Sequence, residues 1–297
     1  MKAKLFVSAI GLASLSAAAL AQVYATPFVS ANSRVQAGFS GTLGTPLVTQ
    51  TFDTGLVAVT GTAAANLGLN EVRSDVFGTT FRATNTASFT ASAGVLRANA
   101  SSLVRITGNS VGASVQSQAS GWNPPTTDSG ASFLDTITIS GADVGNVIPL
   151  TVIAVFTGIS SESAPDSGSS SSSVVAQGSL NVSSTAGGAV LLSHSGTDGI
   201  TAPFQYTQSF ITNITVGTPF QIGAYMTAQA NAFRSSLDGV ANSQLNASST
   251  GLVGIVLPTG YSINSASGYN YAPVPEPASL AILALGISGL AMRRRDR

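Results

Sequence analysis

Ala131-Ser132-Phe133-Leu134-Asp135-Thr136-Ile137-Thr138-Ile139-Ser140 is the stretch that decides the fold. Phe133, Asp135, Ile137 and Ile139 fall on one side of an extended chain. Leu134, Thr136, Thr138 and Ser140 fall on the other, and Gly141 and Asp143 end the run. A period of two with β-branched residues is the signature of a half-buried strand. Ile148 to Phe156 follows as a nearly continuous apolar run, the pattern of a strand covered on both faces.

Reading outward from this pair, the same alternation recurs. Leu180 and Val182, then Val190 and Leu192, flank Gly187-Gly188, which predicts a hairpin. Ile214 and Val216 precede Gly217-Thr218-Pro219, and Phe220, Ile222 and Ala224 resume afterwards. Leu252 to Leu257 and Tyr261 to Tyr271 predict a last strand-turn-strand, with Leu257-Pro258-Thr259-Gly260 as its turn. That tetrapeptide resembles the sortase motif, but it lacks the variable residue and polar Ser262, Asn264 and Ser265 follow it. Between Phe89 and Gly121, Ala91, Ala93, Ala98 and Ala100 stand where larger apolar residues would be expected, so this segment predicts a thin sheet or a solenoid rung. Trp122-Asn123-Pro124-Pro125 closes it as a loop. Ser160 to Ser173, with Glu162, Pro165, Asp166 and a run of serines, predicts a flexible hairpin loop between two apolar strands. Helix signals are almost absent between 26 and 272. The expected fold is all-β, an antiparallel β-sandwich, jelly-roll-like or similar, of ten or more strands in one domain over residues 22–272.

The two ends of the chain have a different character. Lys2 and Lys4, an apolar run from Leu5 to Leu20, and Ala19-Leu20-Ala21 form a secretory signal peptide over residues 1–21, with Val23-Tyr24-Ala25 as a second cleavage site. At the other end, Val274-Pro275-Glu276-Pro277 is followed by an uncharged apolar segment at 278–292 and then by Arg293, Arg294, Arg295 and Arg297. Fifteen residues make about 22 Å of helix at about 1.5 Å per residue, against roughly 30 Å of hydrocarbon. Leu280, Ile282, Leu283, Leu285, Ile287 and Leu290 wrap around this predicted short helix rather than forming one face. The arginines act as a stop-transfer signal that is retained on the cytoplasmic side. Pro275 and Pro277 keep the preceding segment extended and open to a processing enzyme.

This order of motif, hydrophobic helix and arginine cluster over 273–297 resembles the PEP-CTERM sorting signal of Gram-negative bacteria. The resemblance implies recognition by the membrane protease-transpeptidase exosortase, removal of the tail, transient residence of 278–292 in the inner membrane, and delivery to the outer surface or extracellular matrix. It also implies an association with exopolysaccharide. More loosely, the pattern from Ala131 to Gly158, with its Pro149, is similar to the bodies of many exported PEP-CTERM proteins. Thr259-Gly260-Tyr261 to Ser267-Gly268 resembles the last hairpin that they carry.

Between residues 22 and 271, six arginines stand against ten acids, with no lysine, for a formal net charge of minus four. Nucleic-acid binding needs clustered cations and is not expected. The chain has no cysteine, so disulfides and thiolate metal sites are excluded. His194 is the only histidine, which excludes a site with two histidine ligands in one chain. Ser193 or Ser195 with His194 and Asp198 could be written as a triad, but adjacency in sequence is not triad geometry. Glu71 with Asp75, or Asp135 with Asp143, could be nominated as paired carboxylates. Asp135 lies on the apolar side of its strand, which favours a structural hydrogen bond to a turn. Asp166 and Asp198 sit in Gly/Ser loops without the repeat of a calcium loop.

Trp122 is the candidate carbohydrate contact, with Tyr206, Tyr225, Tyr261, Tyr269 and Tyr271 as further aromatics. Asn99, Asn181, Asn213 and Asn246 open glycosylation sequons, and the hydroxyl-dense loop at 160–173 invites O-glycosylation. The reading that emerges is a non-enzymatic exported protein with a structural or adhesive role in an exopolysaccharide or biofilm matrix, without catalytic residues, cofactor or metal. A carbohydrate-binding module is the alternative, ahead of a secreted hydrolase.

Overall fold

The computed structural model describes residues 26–40, 47–108, 114–121, 130–163, 172–196, 199–235 and 238–271. The signal peptide with Ala19 and Ala21, the Trp122 loop, Asp166, Asp198 and the sorting tail lie outside the described residues. The described residues form fifteen strands: β1 (Phe28–Ser40), β2 (Leu47–Asp53), β3 (Val57–Ala58), β4 (Ala63–Ser74), β5 (Thr80–Ser92), β6 (Val95–Thr107), β7 (Ser114–Ser120), β8 (Ala131–Ser140), β9 (Val147–Ser163), β10 (Ser172–Ser184), β11 (Ala189–Ser195), β12 (Thr201–Thr215), β13 (Phe220–Ser235), β14 (Gly239–Val256) and β15 (Ser262–Ser265).

All pairings are antiparallel. One sheet has the order β12-β9-β14-β6-β5-β4, and the other contains nine strands. The nine strands occupy six lines. β7 and β8 share one line, because both pair with β13 on one side and with β1 on the other. β15 continues the line of β1 beside β8, and β2 and β3 together form the outermost line. The two sheets are thus equally wide, and one continuous apolar core joins them.

Small side chains set the spacing of the layers. Ala98 and Ala100 of β6, with Ala228, Ala230 and Ala232 of β13, are buried. Cα atoms of β6 and β13 come within 8 Å, closer than the roughly 10 Å of ordinary stacked sheets. The alanines of 89–121 therefore mark a close approach of two sheets rather than a solenoid rung. Phe81, Phe89, Phe133 and Phe156 fill the wider parts of the core.

The β7/β8 line is interrupted between Gly121 and Gly130. Gly121 N–H donates to Ala228 O, and Gly130 N–H to Met226 O, so both glycines keep the pairing with β13. A Cβ on Gly130 would stand 2.0 Å from the Phe89 ring, and one on Gly121 would stand 2.2 Å from the Gly130 Cα. Only glycine permits this pinch, where the chain leaves and re-enters a strand over a buried phenylalanine.

The sequence-based expectations fare unevenly. β8 alternates as read, and β10 and β11 form the predicted hairpin, with Leu180 opposite Leu192 and Val182 opposite Val190. β9 departs from expectation: only Ala154 to Phe156 are consecutively buried, while Pro149 is exposed, because one face of its sheet is open to solvent. The Ser-rich segment is a connection between sheets rather than a hairpin loop. β9 pairs with β12 and β14, whereas β10 pairs with β11 and β13. The segment is also shorter than 160–173, since Ser160 to Ser163 pair with β12 or β14 and β10 begins at Ser172. The last strand-turn-strand is likewise split, with β14 in one sheet and β15 paired to β8 in the other.

Candidate functional site

Two polar clusters, each tying one sheet to the other, hold His194, Tyr206, Asp135, Tyr269 and Tyr271 from among the side chains that the sequence nominates for chemistry. The first surrounds His194 on β11, the edge strand of the nine-stranded sheet. Alternation along β11 turns His194 toward the other sheet, where β9 supplies Ser160 and β12 supplies Phe204 and Tyr206. His194 stacks on Phe204 with ring centroids 3.8 Å apart and planes at 13°. Its Nε2 lies 2.9 Å from Ser160 Oγ and its Nδ1 lies 3.1 Å from the Tyr206 hydroxyl. Burial lowers the imidazole pKa below the usual histidine value, which favours the neutral ring. One ring nitrogen then donates and the other accepts, and both hydroxyls can take either role.

The histidine's serine partner is therefore Ser160, 34 residues upstream in sequence, and not the flanking Ser193 or Ser195. Both flanking serines are exposed on the outward positions of β11. Ser160 is only 2% exposed, and the position that orients the imidazole in a triad is held by a phenol instead of a carboxylate. A nucleophile must reach its substrate, and a sealed hydroxyl against a stacked imidazole does not. The arrangement suits a clasp between the edges of the two sheets.

The second cluster surrounds Asp135 on β8. Its carboxyl group is fully buried. Oδ1 accepts from the Ser267 N–H at 3.1 Å, and Oδ2 accepts from the Tyr271 hydroxyl at 2.9 Å and from the Ser267 hydroxyl. The chain after β15 is thereby folded back over β8, and the Ile255 N–H of β14 donates to Tyr271 O at 2.9 Å. Tyr271 is itself fully buried, with Tyr269 packed edge-on at 4.8 Å. Burial, together with the Asp135 carboxyl group beside it, pushes the Tyr271 phenol well above the usual tyrosine range. This is the turn-binding role that the sequence assigns to Asp135. Ser267, which completes the cluster, has no signal in the sequence beyond its place in a Ser/Gly turn.

The other nominated carboxylates stand apart. Asp143 accepts from the Tyr261 hydroxyl at 2.9 Å, so Asp135 and Asp143 serve different partners. Glu71 lies 3.6 Å from Arg73. Asp75 caps its own hairpin, with Oδ1 accepting from the N–H groups of Phe77 and Thr79. Among the described residues, no three His, Asp or Glu side chains gather in a way that could hold a metal ion. The tyrosines are scattered as well. Tyr271 is buried, Tyr225 is nearly so, Tyr261 serves Asp143, and Tyr206 is bound to His194. Asn181, one of the four sequon asparagines, is buried at 7% exposure.

Tyr271 is the last described residue, and the motif read at Val274 to Pro277 begins three positions later. Residues 273–295 match the family model of the PEP-CTERM protein-sorting motif. No curated protein and no solved structure matches the chain. The chain thus carries a PEP-CTERM sorting motif at its C-terminus, as an exosortase substrate does, and the motif implies export and sorting to the cell surface.

Proposed function

We propose that this chain is a non-enzymatic protein of the outer surface or extracellular matrix of a Gram-negative bacterium. Its body, residues 22–272, acts as one β-sandwich domain with a structural or adhesive role in exopolysaccharide. Exosortase processes it at Val274 to Pro277 while 278–292 occupies the inner membrane and Arg293, Arg294, Arg295 and Arg297 stay on the cytoplasmic side. A signal peptide ending at Ala19-Leu20-Ala21 starts the export. Connections that switch sheets repeatedly from β9 to β15 are akin to those of a jelly roll.

The observation that carries this reading is the sorting motif at 273–295, joined to an all-β body whose histidine and buried carboxyl group are both engaged in internal hydrogen bonds. A secreted hydrolase would need the Ser160–His194 pair to face a cleft, and the burial of Ser160 argues against it. Intact-mass spectrometry of the protein from inner membrane, outer surface and medium of the native host tests the reading. The expected mass ends near Val274 to Pro277 in the outer fractions, with excess mass indicating glycosylation or an attached anchor. A full-length tail confined to the inner membrane would overturn it.

A further inference from the structure

The outward positions of β4, β5 and β6 combine arginines with hydroxyl and amide side chains. Pairing registers place Asn70, Thr84 and Leu103 in one row across the three strands, Gly68, Thr86 and Ser101 in the next, and Asn66, Ser88 and Asn99 in a third. Arg82 and Arg105 are exposed and directly opposite each other at one end of this field. Arg97 is exposed near the other end, eight residues along β6 from Arg105, a separation of about 27 Å at about 3.4 Å per residue. Among the described residues of β4 to β6, no Asp or Glu occupies an outward position. Glu71, the one acid on these strands, lies at an inward position beside Arg73.

Two like charges directly opposite on one sheet face repel, and neighbouring strands usually avoid the pairing. Here the repulsion is not relieved from within. Arg82 donates through Nε to Asn70 Oδ1 at 3.0 Å, which steadies its guanidinium. No ion-pair partner faces Arg82, Arg97 or Arg105 among the described residues. The body as a whole is acidic by formal charge, yet three of its six arginines share this face, on which no acid stands among the described residues. A guanidinium binds a carboxylate through two parallel hydrogen bonds, and two guanidiniums on adjacent strands present an extended fork to one anionic group.

We propose that this face binds an acidic polysaccharide. Arg82 and Arg105 hold one carboxylate, Arg97 engages a second further along the chain, and the Thr, Ser and Asn rows between them hydrogen-bond sugar hydroxyls. The outward positions carry no aromatic ring on which bases could stack, and three cations are few for phosphate neutralisation, so a nucleic acid is a poorer fit. The proposal rests on the exported, matrix-facing reading above, yet uses neither Trp122 nor the tyrosines.

Isothermal titration of the full-length protein with polygalacturonate, alginate and hyaluronate, each at low and high salt, provides the test, with methyl-esterified polygalacturonate as the neutral control. At least one acidic polymer should bind, the ester should not, and salt should weaken the complex. Arg82→Gln/Arg105→Gln should lower affinity by roughly tenfold or more, given the strength of bidentate pairs, and Arg97→Gln by less. The double variant should keep or raise the thermal midpoint, because it removes a repulsion; this separates lost binding from lost fold. No binding to any acidic polymer, equal binding by the double variant, equal binding of the ester, or tighter binding of a single-stranded oligonucleotide would each overturn the proposal. Because titration does not depend on tail removal, a retained tail in the mass experiment would refute the sorting reading while leaving this one standing.

Discussion

The Asp135 cluster and the His194 cluster perform the same mechanical task by different means. Both connect the nine-stranded sheet to the six-stranded one, yet the first is a buried carboxyl group with three donors aimed at it and the second is an imidazole at the seam between two edge strands. The carboxyl group takes all three donors of its ring, so removing it leaves the Ser267 N–H and the Tyr271 hydroxyl without an acceptor, while the Ser267 hydroxyl keeps Ser265 Oγ at 3.2 Å. The imidazole shares its bonds with two hydroxyls, of which the buried Ser160 is held in place while the exposed Tyr206 can turn to water. The Asp135 cluster is thus the more fragile under substitution.

Asp135→Ala should accordingly have the largest effect. The buried Tyr271 hydroxyl and the half-buried Ser267 N–H lose their acceptor, at about 1–3 kcal/mol for each group left unsatisfied, and part of that will be recovered by relaxation and water entry, leaving a loss of about 2–4 kcal/mol. Urea unfolding monitored by near-ultraviolet circular dichroism reads this directly. His194→Ala under the same conditions should cost only about 1–2 kcal/mol, since Ser160 is the one buried hydroxyl it abandons and the exposed Tyr206 turns to water. Equal losses from the two variants would break the contrast between the buried carboxyl group and the imidazole at the seam.

The pH dependence sharpens the contrast. The folded-state pKa of His194 is depressed by burial, so the neutral ring is the form the fold prefers. Its stability contribution is whole above the unfolded histidine value of about 6.5 and is lost as pH falls through the lowered folded value. Among the described residues, no carboxylate is hydrogen-bonded to the ring, and Glu162, two residues along β9 from Ser160, has its Oε1 engaged by the Ala176 N–H. Unfolding midpoints of the wild type should therefore decline below about pH 6.5. In His194→Gln that part of the decline should vanish. An unchanged acid limb in the variant would assign the decline to carboxylates elsewhere.

These two clusters also mark how far the sequence can be read. The apolar side of β8 and the burial of Asp135 follow from alternation within ten residues, and so does its capture by a turn, because a lone acid among Phe133, Ile137 and Ile139 must find donors. The sorting tail was legible for the same reason: its parts are contiguous. The partner of His194 was not legible, since Ser160 lies in another sheet and looked like the start of a serine-rich loop. Periodicity says which face of a strand is buried but not which strand lies beside it. That is why β9 to β10 and β14 to β15 read as hairpins when each pair is divided between sheets. The alanine run of 89–121 was ambiguous because small residues signal closeness only once the opposing strand is known. The arginine face was hidden in the same way, since Arg82 and Arg105 become opposites only through the β5–β6 register.

Tyr271→Phe probes the Asp135 cluster most gently and should have the smallest effect. The ring stays, Ser267 still donates to both carboxyl oxygens, and the loss should be about 1 kcal/mol, the worth of one hydrogen bond. Its diagnostic is at alkaline pH. The phenol of Tyr271 is held neutral in the fold by burial and by the Asp135 carboxyl group, while in the unfolded chain it ionises near pH 10. Above about pH 10 the unfolded state alone releases this proton, so wild-type stability should fall as pH rises. Tyr271→Phe has no such proton to release and should show a shallower alkaline limb despite its lower stability at neutral pH. The two unfolding curves should therefore converge as pH increases. If instead they stay parallel, Tyr271 ionises alike in both states, and the cluster is open to water in solution like its counterpart at the seam.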